Sequence, residues 1–347
     1  MKVLHLLKSN KYSGAENVVL TIMDACSDDI EMVYASPDGS IRQVVENRNH
    51  MFYALAEPNI REVKKAIHEL NPDVIHAHDF SMSSIAAWAS DGIPVISHLH
   101  NNPLWLRTIC PKSVAYAFSL PRIKQVISVS NSVQKEYVFR KLMHNKNIVI
   151  SNVVDVSSVQ KRALDKCDCK QVDLVFLGRQ TPPKNPLLFC QIVGKIKEKY
   201  PQISARMIGD GELENEVRTY INDKNLNTNI ELVGFQNNPF PYLRLAKIMV
   251  MPSRWEGFGL AAIEGMGLGK PVICSGVGGL ADIINDSCGA KCKDIEDYCS
   301  SIIDILTNEV LYSQKSSGAL KRSEKYTDII NFRKQILMIY NKVIVEK

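Results

Sequence analysis

No apolar run in this chain of 347 residues reaches the roughly 18 residues a membrane-spanning helix needs. The N-terminal segment MKVLHLLKSNKYSGAE has no small-residue cleavage site behind its short apolar stretch, so KVLHLL reads as a first buried strand rather than a signal peptide. A disulfide framework is also missing. The nine cysteines stand singly apart from Cys167 and Cys169, whose spacing is too tight for the usual zinc pairs. An odd count without a secretion signal predicts free thiols in a reducing cytoplasm, most of them, such as Cys26, Cys190 and Cys274, acting as small apolar core residues. There are no repeats or low-complexity tracts. No Gly-x-Gly-x-x-Gly turn follows the first strand, which argues against a dehydrogenase-type dinucleotide site. No Asp-x-Asp pair stands at a strand end, which weakens a metal-dependent reaction.

What is present describes a globular protein long enough for two domains, with 45% hydrophobic and 23% charged residues. The net charge of +5 is unevenly placed. Between residues 103 and 147 lie eight cations, Arg107, Lys112, Arg122, Lys124, Lys135, Arg140, Lys141 and Lys146, against the single acid Glu136. Such a concentration attracts anionic surfaces or phosphates, although a solvated helix surface reads the same way. Within it, LWLRTICPKSVAYAFSLPRIK (104–124) is apolar and basic at once, the pattern of a membrane-surface element as well as of core plus exposed lysines.

Short β-branched runs recur between amphipathic segments whose apolar positions fall at three- and four-residue steps. The predicted strands are 2–7, 30–36, 73–78, 94–100, 125–130 and 147–154, then, after the polar break SSVQKRALDKCDCKQ, 172–179, 203–211, 229–235, 247–253 and 271–279. Alternating strands and helices predict parallel sheets covered on both faces. The expected architecture is α/β, two doubly wound Rossmann-like domains facing a central cleft: residues 1–156, a linker at 157–171, and residues 172–327, with a helix of about 328–347 returning to the first domain. Ligands of such sheets bind beyond the carboxyl ends of the strands, which directs attention to the loops there.

One of these loops is SRWEGFGLAAIEGMGLGKPVICSGVGGL (253–280). The strand KIMVMPS ends in the turn RWEGFG, and a helix follows from Leu260. A helix N-terminus offers unpaired N–H groups and partial positive charge to an anion, and Gly257 and Gly259 would let that anion approach. Glu256 precedes the anion-binding amides, and Glu264 lies about one turn inside the helix, where it could accept hydrogen bonds from a ribose diol. The pair suits a nucleotide diphosphate carrying a sugar. A carboxylate beside a diphosphate needs cations to offset the repulsion, and LGRQTPPKNP supplies Arg179 directly after a strand and Lys184 five residues on. Taken alone, each of these residues is more ordinarily a solvated loop or helix side chain; their order along the chain argues otherwise.

In this order the motifs resemble the retaining glycosyltransferases of family 4, which have the two-Rossmann-domain GT-B fold. The resemblance covers essentially the whole chain and rests on "EGFGLAAIE" with its glycine-rich continuation, Arg179 with Lys184, "GDGE" (209–212) and "ELVGF" (231–235). It implies that Arg179 and Lys184 hold the donor diphosphate, Glu256 the donor sugar and Glu264 the ribose. The backbone of Phe258, Gly259, Leu260 and Ala261 would meet the phosphates, and Gly234 and Phe235 the base. It further implies that Gly14 in "SGAE" approaches donor and acceptor, that His100 is a histidine near the reacting sugar, and that hinge closure excludes water. Ser13-Gly14 departs from the family's usual Gly-Gly, and Asn152-Val153-Val154-Asp155 from its usual Asn-Gly-Val-Asp.

The implied reaction is transfer from a nucleotide sugar, with a uridine base preferred, to a glycan or lipid-linked acceptor in bacterial surface polysaccharide assembly. The departing diphosphate would accept the acceptor's proton, with no metal ion and no nucleic-acid partner, in a cytoplasmic protein contacting the inner membrane surface. A nucleotide-sugar sensor or scaffold without turnover, and a nucleotide-sugar epimerase, are the competing readings. Two His-x-His pairs, His76 with His78 and His98 with His100, each share a strand face and could hold a metal. The second domain offers no matching ligands, so a core or cleft role is expected, with His78, which Asp79 follows, a weaker site candidate than His100.

Overall fold

The computed structural model describes residues 1–345, which divide into two compact units, Met1–Val153 with the segment from Asp328 onward, and Val154–Thr327. In the first unit seven parallel strands form one sheet: β1 (Lys2–Leu6), β2 (Glu31–Pro37), β3 (Met51–Leu55), β4 (Val74–His78), β5 (Val95–Leu99), β6 (Ile123–Ser128) and β7 (Asn147–Val149). Their spatial order is β3-β2-β1-β4-β5-β6-β7. The second unit has β8 (Val172–Leu177), β9 (Ala205–Ile208), β10 (Ile230–Gly234), β11 (Ala246–Met251), β12 (Val272–Cys274) and β13 (Gly289–Lys291). They pair in parallel in the order β10-β9-β8-β11-β12-β13. In each sheet the winding reverses after the first strand, so a crevice opens beyond the carboxyl ends of β1 and β4 in one unit and of β8 and β11 in the other.

Each of the eleven expected strands overlaps an observed one. The two that were not expected are edge strands. In β3 only Leu55 is buried and Met51 is 54% exposed, so it lacks the continuous apolar run of a central strand; β13 is three residues long and contains a glycine. By contrast β4 and β5 are buried at every residue, as strands covered on both faces must be.

The C-terminal helix Ile329–Val345 belongs to the first unit, packing on the helix Gly14–Cys26 and on β4 and β6. Its buried residues, Phe332, Ile336, Ile339, Tyr340 and Val343, recur at three- and four-residue steps. Residues 346 and 347 of the helix expected over 328–347 lie outside the described residues. The expected linker, 157–171, begins inside a helix, Val156–Arg162, capped by the Asp155 carboxylate, which accepts from the Ser158 N–H at 2.9 Å. Gln160 Nε2 donates to the Gly267 carbonyl at 2.9 Å, fastening this helix to the second unit.

Contrary to the reading of all nine thiols as free, Cys167 and Cys169 are joined by a disulfide. They sit on the irregular stretch ahead of β8 with Cα atoms 5.5 Å apart, within bridging reach, and spacing that excludes a zinc pair does not exclude a disulfide. The other seven cysteines are free and, except for Cys110, buried, as expected for small apolar core residues. No helix among the described residues is long and apolar enough to cross a membrane.

Arg206 stitches the second sheet together. Its side chain is fully buried within β9, donating through Nε to Glu231 at 2.7 Å on β10, through Nη2 to the Lys170 carbonyl at 2.8 Å and through Nη1 to the Tyr242 carbonyl at 3.4 Å. Truncating it leaves a cavity and unpaired carbonyls. Arg206→Ala is expected to lower stability in urea titrations by about 2–4 kcal/mol. Arg218→Ala, which breaks an exposed helix pair with Glu214, should cost less than about 0.5 kcal/mol.

Candidate active site

The carboxyl ends of β8, β9 and β10 are tied edge to edge by backbone. Gln180 donates its N–H to the Asp210 carbonyl at 2.6 Å and its Nε2 to the Gly209 carbonyl at 2.8 Å, while the Gly209 N–H reaches the Gly234 carbonyl at 2.8 Å. "GDGE" is thus the brace under the arginine loop, and the buried Gln180, which the sequence reading passed over, is the side chain that fixes it. Beyond it the proline loop turns back, and the Arg254 N–H donates to the Pro183 carbonyl at 2.8 Å, joining the β8 loop to the β11 loop across the reversal of strand order.

That junction brings two predicted residues into direct contact. The Lys184 ammonium forms an ion pair with the Glu256 carboxylate, both side chains being largely buried. The resemblance gave them different ligand groups; here they neutralise each other. Arg179, by contrast, is exposed and its guanidinium makes no hydrogen bond or ion pair among the described residues.

The turn between Glu256 and the helix Leu260–Gly267 depends on two glycines. Gly259 caps the helix at φ 110°, in the left-handed region, and a Cβ there would lie 2.8 Å from Leu280 Cδ2. A Cβ on Gly279 would collide with the Phe258 backbone, and the Gly279 N–H donates to the Glu256 carbonyl at 3.0 Å. The glycine-rich run after the helix therefore presses the Glu256–Gly259 turn into shape. Leu260 and Ala261 open the helix, whose first N–H groups have no carbonyl a turn behind them inside the helix. Phe258 is buried with its ring edge-on to Tyr326.

Glu264, one turn in, is half-buried and makes no hydrogen bond or ion pair among the described residues. Burial pushes its pKa up to about 7, against the pull of the Arg162 and Lys184 charges. Gly234 ends β10 at φ 74°, and Phe235 beyond it is 57% exposed.

In the first unit, the helix Gly14–Cys26 starts at Gly14, and the Ser13 hydroxyl donates to the buried Glu16 carboxylate. His100, just past β5, is buried; its backbone N–H donates to Asp79 Oδ1 at 3.1 Å, and its Nε2 lies 2.8 Å from Nδ1 of His78. Asp79 has a left-handed backbone (φ 62°), and burial raises its carboxyl to about pKa 7 even though the His100 N–H pulls it down. Both His-x-His pairs face one side of the sheet, and a fifth histidine, His5 of β1, completes the cluster: His5 is in register with His76, and His78 with His98. The sequence alone did not single out His5, because only the strand order β1-β4-β5 makes it a neighbour of the other four. The ring nitrogens of His5, His76 and His78, and those of His78, His98 and His100, lie within 4.8 Å of one another, so ligands for a cation could come from the first unit alone. The argument that metal ligands would need the second domain does not hold.

The family profile described as Glycosyl transferases group 1 matches residues 162–322, and that of Glycosyltransferase Family 4 matches residues 12–158. The chain belongs to glycosyltransferase family 4. Among curated proteins this glycosyltransferase is 28% identical to an uncharacterized glycosyltransferase of Methanocaldococcus jannaschii, over 61% of this chain and 57% of that one, so the match spans under two thirds of that relative. It is 27% identical to the UDP-Gal:alpha-D-GlcNAc-diphosphoundecaprenol alpha-1,3-galactosyltransferase of Escherichia coli, over 69% of this chain and 67% of that one. Among solved structures, HepE of Anabaena in complex with UDP-glucose superposes with a TM-score of 0.83 at 19% identity, covering 99% of this chain and 100% of that one. At that identity the likeness speaks for the fold, which is GT-B.

The raised carboxyl of Glu264 makes the stability of this glycosyltransferase depend on pH. Its folded pKa, about 7, lies above the ordinary 4.5, so between those values the folded protein keeps a proton that the unfolded chain has released. Stability contributed by the neutral acid is therefore lost as pH rises through that window. Glu264→Gln removes the loss: the variant should exceed the parent by about 1–3 kcal/mol near pH 8, with most of the gain gone by about pH 5. Equal differences in urea titrations at the two pH values would show that Glu264 ionises like a solvated acid.

Proposed function

We propose that this glycosyltransferase moves a sugar from a uridine-diphosphate sugar to a glycan or lipid-linked acceptor, with retention of configuration, in bacterial surface polysaccharide assembly. The observation that carries this reading is the Lys184–Glu256 ion pair standing beside the glycine turn at the start of the helix Leu260–Gly267. A carboxylate next to a helix N-terminus would repel a diphosphate; a lysine already seated on that carboxylate offsets the repulsion and can share its charge with an arriving phosphate oxygen. Arg179, unengaged, supplies the second cation. Glu264, an unpaired carboxylate at neutral pH and above, accepts from the ribose hydroxyls, and the exposed Phe235 with Gly234 meets the base. Gly257, Phe258, Gly259, Leu260 and Ala261 line the approach of the phosphates. The Gly14 turn and His100 serve the reacting sugar and acceptor in the first unit.

Uridine is supported by the UDP-glucose complex of HepE and by the UDP-Gal named for the Escherichia coli relative, and a lipid-linked acceptor by that relative's diphosphoundecaprenol substrate. In the step itself the sugar–phosphate bond breaks as the acceptor hydroxyl attacks the same face, and its proton passes to the departing diphosphate oxygen. Arg179, Lys184 and the helix amides stabilise the charge that develops there. These groups offset the diphosphate without a metal ion, and the protein's contribution is positioning and electrostatics.

Screening UDP-sugars by thermal shift identifies the donor, because a ligand bound only by the folded state raises its melting temperature. With that donor, Lys184→Ala and Glu256→Ala are each expected to lower kcat/KM by about 10²- to 10³-fold while far-UV circular dichroism stays that of the parent. Turnover near the parent's in either variant counts against the donor site.

The cytoplasmic face of a membrane is the expected place of work. Ile109 and Phe118 are 73% and 68% exposed, Leu142 is 56% exposed, and Lys112, Lys135, Arg140 and Lys141 are exposed in the same stretch of sequence. Apolar tips among cations suit an anionic bilayer surface. The chain should sediment with vesicles of phosphatidylglycerol but not phosphatidylcholine, and Ile109→Asp with Phe118→Asp together should weaken that binding about tenfold or more. Equal sedimentation with both lipids would remove the electrostatic half of this reading.

A further inference from the structure

Cys167 and Cys169 stand half-exposed in KCDCK, among the exposed Lys166, Asp168 and Lys170, whereas six of the seven free cysteines are buried. A bridge in such a place is open to attack by an external thiolate, and exposed bridges are the labile ones. Its redox state has a structural consequence, because the chain is pinned on both sides of it.

On the N-terminal side, residues 162–165 are fastened to the stretch that follows β10. Arg162 Nη2 donates to the Asn237 carbonyl at 3.0 Å, and Arg244 Nε donates to the Ala163 carbonyl at 2.8 Å. Asn238 Nδ2 donates to the Arg162 carbonyl at 2.9 Å and to Asp165 Oδ2 at 2.7 Å. On the C-terminal side, the buried Arg206 guanidinium holds the Lys170 and Tyr242 carbonyls together, and the Val172 N–H donates to the Leu245 carbonyl at 2.9 Å. Both anchors therefore bear on one stretch, residues 237–245. Between them, residues 166–169 make no hydrogen bond among the described residues, and the bridge alone sets the length of the span. Its Cα atoms are 5.5 Å apart, against the ~7 Å that two extended residues reach, so opening the bridge lets the span lengthen by about 1.5 Å.

We propose that Cys167 and Cys169 are a redox-active pair, exchanging with an external dithiol, whose bridged form tightens the brace on residues 237–245 and so on the end of β10. Reduction takes two steps. A thiolate of the external dithiol attacks one sulfur, giving a mixed disulfide and one free thiol on the chain; its second thiol then displaces the other sulfur. The chain gains two electrons and two protons, and the partner leaves as a disulfide. Oxidation runs the same steps backwards. Gly234 ends β10 and Phe235 follows it, directly ahead of the braced stretch. The bridged form holds this loop in fewer conformations and so binds a uridine nucleotide more tightly. That last consequence rests on the reading of Gly234 and Phe235 as the base site; the brace itself does not.

In the test, the full chain is equilibrated in dithiothreitol buffers of graded oxidised-to-reduced ratio, its free thiols are blocked with N-ethylmaleimide, and the tryptic peptide CDCK is weighed. One two-electron transition joining Cys167 to Cys169 is expected. The oxidised chain should melt about 2–5 °C above the reduced one, and Cys167→Ser with Cys169→Ser together should melt like the reduced parent in both buffers. Asn238→Ala cuts one anchor, so its gap between oxidised and reduced melting temperatures should be about half the parent's or less. UDP, followed by titration calorimetry, should bind the reduced chain about two- to fivefold more weakly than the oxidised one. Absence of the bridge at every ratio, or equal melting of the two forms, overturns the proposal. A gap unchanged in Asn238→Ala reveals a purely local ring effect and overturns the brace. Equal UDP affinity in both forms overturns the link to the β10 loop. Failure of both forms to bind UDP overturns instead the base-site reading, and the melting data still decide the brace.

Discussion

The ion pair of Lys184 with Glu256 is the contact on which the proposed donor site depends. It joins the loops after β8 and β11, the strands between which the winding of the second sheet reverses, beside the backbone hydrogen bond from Arg254 to Pro183. Every neighbouring feature serves it. The brace of Gln180 on the Gly209 and Asp210 carbonyls fixes the start of the β8 loop, the Pro183 carbonyl takes the Arg254 N–H, and Gly279 presses the Glu256 turn against the helix N-terminus. A carboxylate placed so close to helix amides would by itself be the wrong charge for a phosphate. The lysine balances that charge locally, which is what the proposed diphosphate site requires.

The first unit solves a different problem with the same architecture. Along β1, β4 and β5 it gathers imidazoles rather than ions, and burial keeps them neutral. Neutral rings in contact are not interchangeable, because each must decide which nitrogen carries the proton, and a hydrogen-bonded row makes that decision collectively. The C-terminal helix takes part, since Tyr340 holds His76 from a position 264 residues away in sequence. A segment read as a returning amphipathic helix thus also places a hydroxyl in the polar interior of the sheet.

Much of the fold was legible because parallel sheets buried on both faces demand continuous apolar strands, and β4, β5 and β11 announce themselves in this way. The edge strands β3 and β13 were not, since one face of an edge strand lacks a neighbour and its residues need not be apolar. The helix Val156–Arg162 was missed for a related reason: a seven-residue helix with polar SSVQKR is too short to show a period, and its hold on the second unit comes from Gln160 and Gly267. The Cys167–Cys169 bridge escaped notice because spacing rules for metal pairs say nothing of a loop that folds two thiols together.

The sequence by itself determined the two doubly wound sheets, the glycine turn ahead of Leu260 and the residue types that ring it, because periodicity, helix capping and the charge needs of a diphosphate act over short stretches of chain. Only the tertiary structure decided which of those residues meet. Lys184 and Glu256 lie 72 positions apart, and His5 and His78 lie 73 apart; such distances close only when strand order does, and strand order is fixed by packing across the whole sheet rather than by any local pattern.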